Sequence, residues 1–160
     1  MRIRPKDDHT YALDLHWEGN RGEGTGSYQA YGRDYRISQA GKPDLVGSAD
    51  PAFRGDPARP NPEDLLLAAL SACHMLSYLA LCARQGVVVL DYADHAEGVL
   101  AFNTTGGGRF TEVALHPRVR VAGRDQATLA LELHTKAHED CFIAASCNFP
   151  VRHEAMVMWE

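Results

Sequence analysis

The sequence has no basic run, no apolar leader and no Cys-x-x-Cys pair, and each absence removes a class of function. Its 160 residues carry 16 Lys and Arg against 21 Asp and Glu, a formal charge of −5. An acidic chain without a basic patch is repelled by phosphate backbones and anionic lipid, so no nucleic-acid or membrane partner is expected. The opening MRIRPKDDHT is polar and lacks the apolar stretch of a signal peptide. No run of about 18 or more apolar residues occurs, so no membrane span is expected. Gly-x-Ser-x-Gly, a phosphate-binding glycine loop and a dinucleotide fingerprint are all missing, and Gly22–Gly26 is too loosely spaced to replace them. No cofactor is expected. Cysteine is sparse, at positions 73, 82, 141 and 147. That is too few for a disulfide framework in a chain of this length, and it suits a reducing, cytoplasmic setting in which a disulfide is catalytic or transient.

What is present is enough for a core: 45% of residues are hydrophobic and 23% charged. The length suits one domain, 1–160, or one protomer of a small intertwined oligomer. Residues 11–18 alternate apolar and polar, placing Leu13, Leu15 and Trp17 on one side of a half-buried strand. Turn residues follow, and 27–38 reads as two strands with a turn near Gly32. Residues 40–60, rich in Gly, Pro and Asp, read as a long loop of the kind that is usually functional.

A central helix is expected over 61–85. Asn61 caps it, Pro62 suits its first turn, Glu63 and Asp64 complement its dipole, and Gly86 stops it. Leu65, Leu66, Ala69, Leu70, Cys73, Leu76, Leu79, Ala80 and Ala83 leave almost no polar face. Such a helix belongs at the centre of a protein, wrapped by sheets or by a second subunit. Residues 87–160 then read as strands at 87–89, 99–102 and 109–121. A helix over 125–140 follows, with Asp125 as cap and Leu129, Leu133, Ala137 and Cys141 along one stripe, and a returning strand spans 149–159. The order defines an α+β protein.

Two readings compete at each reactive residue. Cys73, in mid-helix, is either a small buried apolar group or a nucleophile. Far from the helix N-terminus it needs a cation beside it to become a thiolate. Cys141 is filler unless its stripe packs against the face carrying Cys73, because a disulfide requires Cα atoms within about 4.4–6.8 Å. His134, His138 and Cys141 have spacing that could hold a metal, but no further residue completes a zinc pattern. Glu63 compensates the helix dipole by default, and Arg54 is close enough in sequence to pair with it. Glu63 and Cys73 are ten residues apart, about 15 Å along a helix axis, so they cannot share a site within one chain.

His16-Trp17-Glu18-Gly19, Asn61-Pro62-Glu63-Asp64-Leu65-Leu66 leading to Cys73, and Ala137-His138-Glu139-Asp140-Cys141 occur in an order that resembles the OsmC/Ohr family. The resemblance implies an intertwined homodimer, with two long cysteine-bearing helices in the middle, antiparallel sheets wrapped around them and two sites at the subunit interface. It implies a thiol peroxidase: Cys73 attacks an organic hydroperoxide, Cys141 resolves the sulfenic acid to a disulfide, and an external dithiol, lipoyl-type by resemblance, restores both. It maps the family glutamate onto Glu63, orienting an activating arginine. That arginine is Arg54 by the OsmC-like pattern and Arg21 by the Ohr-like one, and Arg54 is preferred here. Two departures from the pattern stand out: Phe142 follows Cys141 where relatives commonly have proline, and 40–60 is longer than the usual connection. Cys82 and Cys147 read as structural. Met75, Leu76 and Phe142 favour a hydrophobic peroxide, although burial explains them equally. The alternative on the same scaffold is a stress-associated or ligand-binding protein with little turnover.

Overall fold

The computed structural model describes residues 8–160. The chain divides into two compact units, the first ending at Asp64 and the second running from Leu65 to Glu160.

The first unit holds one antiparallel sheet in the order β1 (Asp14–Trp17), β2 (Tyr35–Ser38), β3 (Leu45–Gly47). Trp17 faces Tyr35, and Tyr35 faces Gly47 on its other side. β1 forms as the alternation predicts, but it is not half-buried. Leu13, Leu15 and Trp17 are 54%, 62% and 38% exposed, because a single layer of three strands leaves a face uncovered. The two strands expected over 27–38 reduce to β2 alone. Arg33 donates to the carbonyl of Tyr28 at 2.8 Å and stacks over the Tyr28 and Tyr31 rings, curling 27–31 into turns. The expected loop over 40–60 contains β3 and a 3₁₀ turn, Pro51–Phe53, capped by Asp50. It is stitched together at buried Ser48, whose N–H donates to Pro60 O at 3.0 Å and whose hydroxyl accepts from Asp56 N–H.

Helix α1 (Pro62–Gln85) starts and stops where its chemistry predicts. Asp64 N–H donates to Asn61 Oδ1 and Asn61 N–H to Asp64 Oδ2, a reciprocal cap. Gly86, at φ 76, ends the helix, and Val87 N–H reaches back to Cys82 O at 2.9 Å. The expectation of a helix without a polar face needs correction. Its buried stripe is Leu70, His74, Tyr78 and Cys82, at four-residue spacing, and two of these are polar. Leu76 is 62% exposed. By length and composition α1 would suffice to cross a membrane, contrary to the expectation from unbroken apolar runs, although the core helix of a folded protein meets the same measure.

The second unit adds two three-stranded sheets. One runs β4 (Val89–Asp94), β7 (Pro117–Val121), β9 (Met156–Trp159), and the other β5 (Glu97–Phe102), β6 (Gly108–Leu115), β8 (Val151–His153). β4–β7 and β5–β6 are antiparallel, whereas β6–β8 and β7–β9 are parallel, so the sheets are mixed. The strand expected over 109–121 is split at His116, where the chain leaves one sheet and enters the other at Pro117. The His116 N–H then bonds Asp94 Oδ1 at 2.7 Å instead of a strand. The strand expected over 149–159 divides in the same way into β8 and β9.

The expected helix over 125–140 opens with a 3₁₀ turn, Arg124–Gln126, and continues as α2 (Ala127–Glu139). Asp125 caps neither piece. The buried face of α2 is Ala130, Leu133, His134 and Ala137, with Leu129 37% exposed. The stripe is therefore turned from the predicted one so that His134 faces inward. A short helix, α3 (Phe142–Ala145), follows. Apolar side chains gather in two clusters, one around Tyr78, Val119, Val121 and Leu133, the other around Leu70, Val113 and Leu115. His74 lies between them on α1, one turn from Leu70 and one from Tyr78.

Candidate functional site

All four cysteines are free thiols. Cys73, on α1, is half-buried, and Cys141, at the N-terminus of α3, is buried. The structure brings these two near enough that Cys73 perturbs the Cys141 thiol. Burial pushes the Cys141 thiol up to about 11 and Cys73 adds to this, while the backbone amides of Ala144 and Ile143 pull the other way. The Ala144 amide donates to the Cys141 sulfur at 3.5 Å. At neutral pH Cys141 therefore keeps its proton.

A polar framework fixes the two helices that carry these sulfurs. Ser71 Oγ, two residues before Cys73, donates to Asp94 Oδ2 on β4 at 2.5 Å. His74 Nε2 and His134 Nδ1 lie 3.0 Å apart in a buried hydrogen bond from α1 to α2. The Tyr78 hydroxyl donates to Ala130 O at 3.0 Å, and its ring stacks on His134 with centroids 3.8 Å apart. His153 packs against His74 at 5.4 Å, and His138 against His153 at 5.8 Å. Burial, and then the neighbouring imidazoles His153 and His138, lower His74 to about 4; burial, and then His74, lower His134 to about 3. The pair is neutral at physiological pH. It locks α1 to α2, and so sets how closely Cys73 can approach the residue that follows α2.

Sequence reading missed this pair. It weighed His134 as a metal ligand and gave His74 no role. The available signal was the polar pair His74 and Tyr78, four residues apart on an otherwise apolar helix. His134 Nδ1 is engaged by His74, and its Nε2 is buried without a partner. Among the described residues, no three His, Cys, Asp or Glu side chains are placed to hold a metal ion.

The remaining predicted residues lie in the first unit. Glu63 is half-buried, and its Oε2 is enclosed without a partner. Arg54 is exposed and left-handed at φ 66, the only non-glycine residue with positive φ among those described, and its N–H bonds Pro51 O at 3.0 Å. No Arg54–Glu63 ion pair occurs among the described residues. The Arg21 guanidinium lies over the Gly32 backbone. Cys82 and Cys147 sit in or against the two apolar clusters, with both thiols raised chiefly by burial.

The fold is a mixed α+β scaffold with one cysteine on its long helix and a second, buried one at the start of α3. The chain belongs to the OsmC-like protein family, whose description matches residues 55–155. It is 32% identical to an OsmC-like protein of unknown function from Vibrio cholerae O1 biovar eltor. That match covers 93% of this chain and 100% of the other, with a TM-score of 0.82. The uncharacterized protein YmaD of Bacillus subtilis is 26% identical over 155 residues, 94% of this chain and 95% of that protein. The organic hydroperoxide resistance protein OhrB of Bacillus subtilis shares the fold at 21% identity and a TM-score of 0.59, covering 91% of this chain and 98% of its own.

Proposed function

We propose that the protein is a thiol-dependent peroxidase for organic hydroperoxides in oxidative-stress defence. The Cys73 thiolate attacks one oxygen of R–O–O–H and breaks the O–O bond; Cys73 becomes a sulfenic acid, and the departing alkoxide takes up a proton to leave as the alcohol. The Cys141 thiol then attacks the Cys73 sulfur and expels water, which forms the disulfide. An external dithiol, lipoyl-type by family resemblance, reduces the disulfide by exchange through a mixed disulfide and leaves oxidised itself. The observation that carries this reading is the nearness of a buried, protonated Cys141 to a more accessible Cys73, two sulfurs distant in sequence. Leu76 and Phe142, 62% and 80% exposed, flank the two cysteines in sequence and suit an apolar R group over hydrogen peroxide.

Two copies of the chain form the working unit. Arg54 of the partner subunit, oriented by Glu63 of the partner subunit, holds the Cys73 thiolate and polarises the peroxide. This assignment answers the helical separation of Glu63 from Cys73 within one chain, about 15 Å for ten residues. Uncovered apolar residues on β1 are consistent with a second copy. The cytoplasm is the setting that keeps such thiols reduced between turnovers.

Consumption of cumene hydroperoxide with a dithiol reductant tests the reading, and Cys73→Ser is expected to abolish it. One equivalent of peroxide should remove two thiols per chain in the wild type. Unchanged thiols together with tight small-molecule binding would instead support a ligand-binding protein on this scaffold. Arg54→Ala should slow Cys73 oxidation strongly with the fold intact. If only Arg21→Ala slows it, the activating arginine is Arg21.

A further inference from the structure

Among the described residues of the first unit, two side-chain polar atoms are enclosed without partners: Glu63 Oε2 and the hydroxyl of Tyr35. Leaving such groups unpaired costs about 1–3 kcal/mol each, so a structure retains them where they serve something. Their placement is built in. Tyr35 on β2 faces Gly47 on β3, and a methyl group added to Gly47 would lie 2.3 Å from Tyr35 Cζ and 2.4 Å from its hydroxyl. The ring thus occupies space that only glycine leaves free. The next residue, Ser48, bonds Pro60 O, which brings the end of β3 to the residue before the α1 cap. Burial, then the charges of Glu63 and Asp64, raise the Tyr35 phenol, so it stays protonated and remains a donor.

We propose that Tyr35 is a positioning residue of the redox centre: its hydroxyl donates to Glu63 Oε2 and fixes the carboxylate so that Oε1 faces the activating guanidinium. The phenol is anchored by its fit over Gly47, so the glutamate side chain makes the closing rotation. With one oxygen held from inside, the carboxylate presents a single orientation to an arginine, which needs fixed acceptors for its planar fork. The inference rests on the peroxidase reading above, in which Glu63 acts through that arginine.

The test is the pH profile of Cys73 alkylation by monobromobimane, followed by mass mapping on the full chain. It is run on wild type, Tyr35→Phe, Glu63→Gln and the double variant. Tyr35→Phe removes one oxygen and keeps the ring over Gly47. Its midpoint should move to higher pH, with alkylation at pH 7 slowed about twofold to tenfold, the span of one hydrogen bond. In the Glu63→Gln background the same substitution should add nothing further. A simple loss of fold would not produce that coupling. An unmoved midpoint in Tyr35→Phe, or additive shifts in the double variant, overturns the role of Tyr35. A wild-type midpoint near the ordinary thiol value of about 8.5 instead sinks the peroxidase reading, which keeps the two failures distinct.

Discussion

The two units of the chain differ in how much of a core they bury. In the second unit Leu70, Val113, Leu115, Val119 and Val121 are at most 1% exposed, and every sheet has a helix or a cluster against it. In the first unit every residue of β1 is exposed, Leu15 and Trp17 among them. A lone three-stranded sheet cannot cover both of its faces, so the first unit carries surface suited to something outside the chain. The second unit buries Cys141, His74 and His134, yet it too carries exposed apolar residues, Leu76, Phe142 and Met156 among them. The closed side of this comparison is the core of the second unit, and the open side is the sheet of the first.

Breaking the closed side should have the largest effect. Leu70→Ala removes a buried side chain between α1 and the second cluster and should cost about 2–5 kcal/mol in chemical denaturation. A result under 1 kcal/mol would mean that the enclosure described here is loose.

Acid should act next, and on the second unit. His74 and His134 have folded pKa values below the unfolded one, so the unfolded chain binds more protons than the folded chain once pH falls below about 6.5. Stability is therefore full above that pH. It should decline by up to about 1.4 kcal/mol per pH unit for each histidine as pH drops toward about 4. Replacing both histidines by leucine should flatten this slope in a urea titration series. Replacing one alone should cost about 1–3 kcal/mol, because the other is left buried without its partner. An unchanged slope in the double variant would show that the pair is not the source.

Arg54→Gly separates backbone from side chain. Glycine adopts the left-handed conformation freely, so the variant should gain about 0.5–1 kcal/mol in melting experiments while losing the guanidinium and, with it, fast Cys73 oxidation. Loss of both stability and rate would indicate that the guanidinium also holds the fold. The smallest effect is expected at Leu15→Ala, within about 0.5 kcal/mol for a dilute, dissociated chain. The cost should grow with protein concentration if a second copy covers β1, and sedimentation should show weakened self-association.

Legibility in the sequence followed the locality of the cause. The ends of α1 were readable because the cap Asn61–Asp64 and the stop at Gly86 act within a few residues. The two cysteines and Glu63 were readable through the ordered motifs that resemble a family. The strand breaks at His116 and between β8 and β9 were not, since each is a change of sheet decided by partners far along the chain. The turned face of α2 was hidden for the same reason: helical spacing favours Leu129, but the hydrogen bond to His74, sixty residues away, brings His134 inward. Tyr35 carried no signal at all, because its meaning depends on a glycine across the sheet.

Cys141 has one further property that follows from where it sits. Its sulfur both accepts the Ala144 amide that closes the four-residue helix α3 and faces Cys73. Under the proposed mechanism a disulfide formed on that sulfur draws it toward Cys73, so the short helix loses its N-terminal side-chain cap on oxidation. Amide exchange at Ala144 thus becomes a gauge of oxidation state, faster in the disulfide than in the dithiol, in a segment whose first side chain, Phe142, is already turned to solvent.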